Sequence, residues 1–181
     1  FPHWDVYLSH KLTDKEYTNG ENIYSGFAEK QLKVKSGLHL SVSLRSFRSE
    51  KLASFVKAFL DLNPQDAKRL HNQFVDVYPI VITRNIDVAK QWLISKARGG
   101  ESLGLTTSSG AHRLKLYGIH VKSKIEPKTW FLNSNRDVRS AGFLEEVATE
   151  FDIQGLELDW TCIAWDANLR IENGLWKYKN F

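Results

Sequence analysis

The sequence predicts an α/β domain in three layers, with a mainly parallel sheet and helices on both faces. Residues 38–44 alternate apolar and polar side chains with period two, the pattern of a half-buried strand. Residues 78–83 form a continuous apolar run, as expected of a strand buried on both faces. Between and after these runs apolar residues fall at helical spacing, so strand and helix signals alternate along the chain. The 181 residues are 42% apolar and 25% charged, which suits one ordinary domain with a real core and excludes a disordered chain.

The elements follow in order. Residues 4–8 alternate well enough for a short strand, and Asn19-Gly20 offers a turn in the polar stretch after it. The strand at 38–44 runs into Arg45 and Arg48. Ser49 offers an N-cap, and Leu52, Phe55, Val56, Phe59 and Leu60 keep helical spacing. Asn63-Pro64 stops that helix and admits another through Phe74, because proline is accepted at a first helical position. The buried strand at 78–83 comes next, and then a helix around 87–94 that Gly99-Gly100 ends. Residues 103–107 read as a strand, and residues 111–117 as a short helix closed by Gly118. Residues 130–132 suit a short strand and residues 143–147 a helix. Residues 156–165 read as the last core strand, and 169–178 as a hairpin turning on Asn173-Gly174.

Composition narrows the function classes. No apolar run approaches a membrane span, and the first residues lack a signal-peptide pattern. The single cysteine, Cys162, sits in an apolar run and reads as a small buried hydrophobe; that usage fits a reducing cytoplasm. The six histidines show no ligand spacing with Cys162 or with carboxylates, so no metal site is expected. A net charge of +4 permits nucleic-acid binding without requiring it. The six tryptophans and ten phenylalanines fall mostly on apolar periodic positions, so core packing is expected of them, Trp160 and Trp165 included.

The most informative stretch is Thr149-Glu150-Phe151-Asp152-Ile153-Gln154-Gly155-Leu156-Glu157-Leu158-Asp159-Trp160. Gly155 permits a tight turn or a close approach of backbone to ligand. Glu157 and Asp159 share a side if the strand has begun, where a carboxylate suits a ribose hydroxyl as well as it suits plain solvent. Ligand crevices in such folds lie at the carboxyl ends of strands, and Arg45, Arg84 and the run from Thr106 to Ser109 each follow a predicted strand.

The pattern Thr-x-x-x-x-Gln-Gly-Leu-Glu-x-Asp resembles motif V of superfamily 1 helicases, with Phe151 where many helicases carry histidine. Leu40-Ser41-Val42-Ser43-Leu44-Arg45-Ser46 resembles their motif IV. From Trp4 to Phe181 the chain is similar to a bacterial helicase-like ATPase family related to the Schlafen proteins. The resemblance implies the second RecA-like domain of a nucleic-acid-stimulated ATPase. Arg45 would then reach the γ-phosphate of ATP, a task suited to a permanently charged, bidentate guanidinium. Gln154, Gly155 and Glu157 would face the nucleotide. Arg84 and Asn85 would meet a single strand of DNA or RNA, and Thr149 its backbone. Thr106, Ser108 and Ser109 suit a phosphate cradle or a simple helix cap equally, and Asn85 suits an N-cap.

The chain contains no Gly-x-x-x-x-Gly-Lys-Ser/Thr and no methionine. It is therefore expected to be part of a longer protein, with the P-loop on a first RecA-like domain of the same parent. ATP and magnesium would bind the intact parent, and this piece alone would hydrolyse nothing. A rival expectation keeps the fold as a nucleic-acid sensor or protein-interaction scaffold with degenerate ATP chemistry.

Overall fold

Residues 4–9, 31–39 and 50–179 are described in the computed structural model, and the chain divides into two units at residues 78 and 79. In the first unit β1 (Val6–Leu8) pairs in parallel with β2 (Leu32–Val34), continued by the Lys35 N–H donating to the Leu8 carbonyl at 2.8 Å. A 3₁₀ turn at Ser36–Leu38 takes Leu38 out of the expected strand. The rest of that strand, together with Arg45, Arg48 and Ser49, lies outside the described residues. Helix α1 (Glu50–Leu60) packs on α2 (Pro64–His71). Asn63 caps α2 by accepting from the Asp66 N–H at 3.1 Å, and Pro64 follows in the first turn. Beyond His71 the chain continues in turns, so α2 stops short of Phe74. That ring is buried and meets Phe55 edge-on at 5.5 Å and His71 at 5.5 Å.

The second unit is built on β3 (Leu103–Thr107), the centre of a three-stranded parallel sheet ordered β4-β3-β5, where β4 is Val147–Thr149 and β5 is Trp160–Ala164. All five residues of β3 are buried. Leu105 stands opposite Val147 on one side and Cys162 on the other. Alternation along β3 then assigns its two faces. Leu103 and Leu105 join Val147, Ile119, Leu144 and Leu93, the last from α3 (Ile86–Lys96). On the opposite face Gly104 lies under Trp130, from α4 (Pro127–Leu132), which packs with Ala141 and Ala148. The architecture is α/β, as expected. The hairpin β6 (Leu169–Glu172) and β7 (Leu175–Tyr178) also forms as read, with left-handed Asn173 and Gly174 at its turn. Gly118, at φ +80, closes the 3₁₀ turn His112–Tyr117.

Four further expectations fail. Residues 78–83 form no strand: they pair with no strand among the described residues, and Ile82 is 95% exposed. Residues 130–132 are the end of a helix, because Glu126 accepts from the N–H groups of Lys128 and Thr129 and Pro127 begins the first turn. The expected helix at 143–147 is replaced by a 3₁₀ turn at Ala141–Phe143, left-handed Leu144 and then β4. The last core strand starts at Trp160 and not at 156. No helix among the described residues is long and apolar enough to cross a membrane.

Two predictions follow from this packing. A Cβ on Gly104 would stand 3.0 Å from both the Trp130 ring and Leu158. Trp130 is 1% exposed and donates its indole N–H to the Glu146 carbonyl at 3.2 Å, so it has no room to retreat. Gly104→Ala should therefore cost about 1–3 kcal/mol by overpacking and lower the melting temperature by several degrees; an unchanged melting temperature would refute this packing. Separately, three carboxylates that fix turns are held below the usual carboxylate range. Trp160 donates to Glu101, Thr129 to Glu126 through its hydroxyl and then its N–H, and Arg139 to Asp137. A depressed folded pKa contributes stability that is complete above the unfolded value and is lost as pH falls through the folded one. Thermal stability should hold from pH 7 to about 5 and decline below about 4. A melting temperature flat to pH 3 would show these bonds to be unimportant.

Candidate nucleic-acid interface

Parallel pairing brings the ends of β3, β4 and β5 to one edge of the sheet. The register sets Thr107 opposite both Thr149 and Ala164, so the segments that leave all three strands there are neighbours. Thr107 is closed into this edge by donating its hydroxyl to the Ala164 carbonyl at 2.7 Å. The next residues, Ser108 to Gly110, turn away from the sheet. The Ser108 hydroxyl accepts from the Gly110 N–H at 3.2 Å. Ser109 presents its N–H and its hydroxyl together, and both go to the two oxygens of Glu150 at 2.7 Å. Burial pushes the Glu150 carboxyl up, but the Ser109 bonds and its own N–H outweigh that, leaving it below the usual range.

Thr149 ends β4 and opens a closed turn. Its N–H and hydroxyl both donate to Asp152 Oδ2, at 2.8 and 2.6 Å, while its carbonyl accepts from the Asp152 and Ile153 N–H groups. The turn ends at Gly155, whose φ of +82° is one that side-chain-bearing residues seldom adopt, and nothing lies within 4 Å of where its Cβ would stand. Gln154, Gly155 and Glu157 are all exposed. Glu157 belongs to the returning segment: Leu158 beside it packs toward Gly104, and Asp159 accepts from the Ser102 N–H and hydroxyl at 2.8 Å, before β3 begins. Glu157 and Asp159 therefore precede β5 and share no strand face.

Of the other candidates, Asn85 heads α3 and Thr106 lies within the sheet. The Asn85 side chain accepts from the N–H groups of Asp87 and Val88 and caps α3. Late in α3, Trp92 meets Trp160 at the start of β5, with ring centroids 5.6 Å apart. Arg84, ahead of the first turn of α3, is exposed. Thr106 is buried in the sheet, its hydroxyl 3.2 Å from that of Thr161. Arg45 lies outside the described residues. The structure thus brings Ser108, Ser109 and Thr149 together, with Gln154 and Gly155 on the loop that leaves the same edge.

Three residues that the sequence did not single out belong to this edge. Glu150 and Asp152 occupy the donors of Ser109 and Thr149; parallel register between two strands that each end in threonine was the only signal for them. Asp166, just past β5, is 6% exposed. Its Oδ1 accepts from the Ala167 N–H at 2.6 Å, and its Oδ2 has no partner among the described residues. Cys162 is half-buried, and burial raises its thiol pKa.

No curated protein and no solved structure matches the chain. A family model described as "Schlafen group 3, DNA/RNA helicase domain" matches residues 9–180, which is nearly the whole chain. That match covers the parallel sheet, the loops leaving its C-terminal edge and the hairpin, and the chain belongs to the Schlafen group 3 DNA/RNA helicase domain family.

Proposed function

We propose that this chain is the second RecA-like domain of a nucleic-acid-stimulated ATPase, and that the C-terminal edge of its parallel sheet meets a single strand of DNA or RNA. The observation that carries this reading is the pair of donors on Ser109. An N–H and a hydroxyl converge on one carboxylate at 2.7 Å each, the geometry a phosphate oxygen pair would also satisfy. Ser108 and Thr149 flank that position, Arg84 and Asn85 are further contacts on this reading, and Thr106 acts from within the sheet by fixing β3 against β5.

The nucleotide side of the proposal rests on Gly155. The space beside its α-carbon allows backbone to approach a sugar or phosphate closely, with Gln154 and Glu157 as exposed polar neighbours. A triphosphate bound with magnesium supplies the phosphoryl group, and a P-loop-bearing first RecA-like domain of the same parent holds its other side. Arg45 contributes fixed positive charge where negative charge develops. Exposed Phe151 in the position many helicases give to histidine favours the second reading, a nucleic-acid sensor or interaction scaffold in which ATP turnover is degenerate.

Two experiments test these roles. In the intact parent, Arg45→Ala should lower stimulated ATP turnover by on the order of 10³ with little change in KM. Unchanged kcat, with and without single-stranded DNA, would remove Arg45 from the mechanism. In this chain Glu150→Gln, which withdraws the charge occupying Ser109, should tighten binding of a single-stranded oligonucleotide by about three- to tenfold. Unchanged or weaker binding would show that Ser109 is not a phosphate donor.

A further inference from the structure

The connection from β3 to β4 holds the chain's excess of positive charge. Of the 25 basic and 21 acidic residues in the sequence, seven and two fall between His112 and Arg139, which leaves the remainder near neutral at eighteen against nineteen. A surface charged only for solubility intersperses the two signs, as that remainder does. Both acids of the connection are committed locally. Glu126 accepts from the N–H groups of Lys128 and Thr129 and caps α4. Asp137 is held by the Arg139 guanidinium at 2.8 and 3.1 Å and by the Asn133 amide at 2.8 Å.

Lys115, Lys122, Lys124, Lys128 and Arg136 are exposed and make no ion pair among the described residues. Lys128 adds to the field at Glu126 without bonding to its carboxylate through the ammonium group. Elsewhere Lys57, Arg69 and Arg170 each pair with an acid two to four residues away. The backbone under the unpaired cations is anchored. Ile119 and Val121 pack into the core on one face of the sheet, and Ile125 and Trp130 into the core on the other. Residues 122–124 therefore cross from one face to the other. The α-carbons of Lys122 and Lys128 lie within about 20 Å of each other, since six residues of chain reach no further.

Between these lysines Ile125 is half-buried against the core, so a partner meets charge and little else. Held by charge, that partner must carry charge at close and regular spacing, as a phosphodiester backbone does. Ammonium groups act on it as point charges and select no base. The connection also leaves directly from the loop at residues 108–110. We infer that Lys122, Lys124 and Lys128 form a second, electrostatic contact for the phosphate backbone of a strand whose nearer part lies on the sheet edge, with Lys115 and Arg136 adding to the field. This rests on the nucleic-acid reading above and extends it: short strands engage the edge alone, and longer ones engage both.

The test measures binding of the full chain to fluorescein-labelled oligothymidylates of about 6 and about 30 nucleotides across a salt series. The slope of log Kd against log salt should be steeper for the longer by about 2, from three single-strand phosphates at about 0.7 each. Joint Lys122→Gln, Lys124→Gln and Lys128→Gln should erase that difference, weaken the longer by about 10- to 100-fold at low salt and leave the shorter unchanged. Arginine at the same three positions should preserve it. Equal slopes for the two lengths in the unmodified protein, or a slope that the glutamine changes do not move, would overturn the contact and leave the edge standing. The same loss on neutralising Lys35, Lys51 and Lys68 of the first unit would assign the effect to net charge and overturn the contact too. Binding of the longer alone, lost with the glutamine changes, would keep the contact and overturn the edge. Failure to bind either oligonucleotide would overturn both. Glutamine changes that spare oligonucleotide binding but abolish binding to phosphatidylserine vesicles would give these lysines to a lipid surface and overturn the contact.

Discussion

Strand β3 is enclosed on every side, and that enclosure organises the second unit. It has a parallel neighbour on each side, Leu93 and Leu144 against one face, and the Trp130 ring against the other. Closure on the Trp130 side requires that residue 104 have no side chain. A strand so covered can present polar groups only at its ends. At its start Ser102 is occupied by Asp159. At its finish the serines of residues 108 and 109 emerge, so the chemistry of the unit falls at one edge.

Internal carboxylates already occupy the donors at that edge. Glu150 takes the N–H and hydroxyl of Ser109, and Asp152 takes those of Thr149. These bonds hold the loops in shape and satisfy groups that would otherwise face solvent unpaired. On the proposed reading they are also what an incoming phosphate displaces.

What the sequence disclosed followed from local rules. Strand β3 was legible from its apolar run, the hairpin from Asn173-Gly174, and α3 from Asn85 and its spacing. What it concealed depended on partners. The run at 78–83 looks like a buried strand because apolar, β-branched residues do not reveal whether a neighbour exists; Ile82 stands in solvent. Trp130 was mistaken for a strand residue although Glu126 and Pro127, a cap and a first-turn proline, mark a helix start. Trp165 was expected in the core because alternation assigns a side and not a cover, and β5 ends before that side is roofed. The pairing of Ser109 with Glu150 spans 41 residues and exists only through strand register. Arg45, legible by resemblance alone, lies outside the described residues.

The central claim is that a single strand follows the ends of β3, β4 and β5, and it makes a sharp spatial prediction. Titrating ¹⁵N-labelled protein with a single-stranded oligonucleotide and following backbone amide shifts would locate the contact residue by residue. The largest changes should cluster at residues 107–110 and 149–155, with the Ser109 amide moving as Glu150 releases it. Changes clustered at Ser102, Asp159 and Trp160, where the strands begin, would contradict the claim outright.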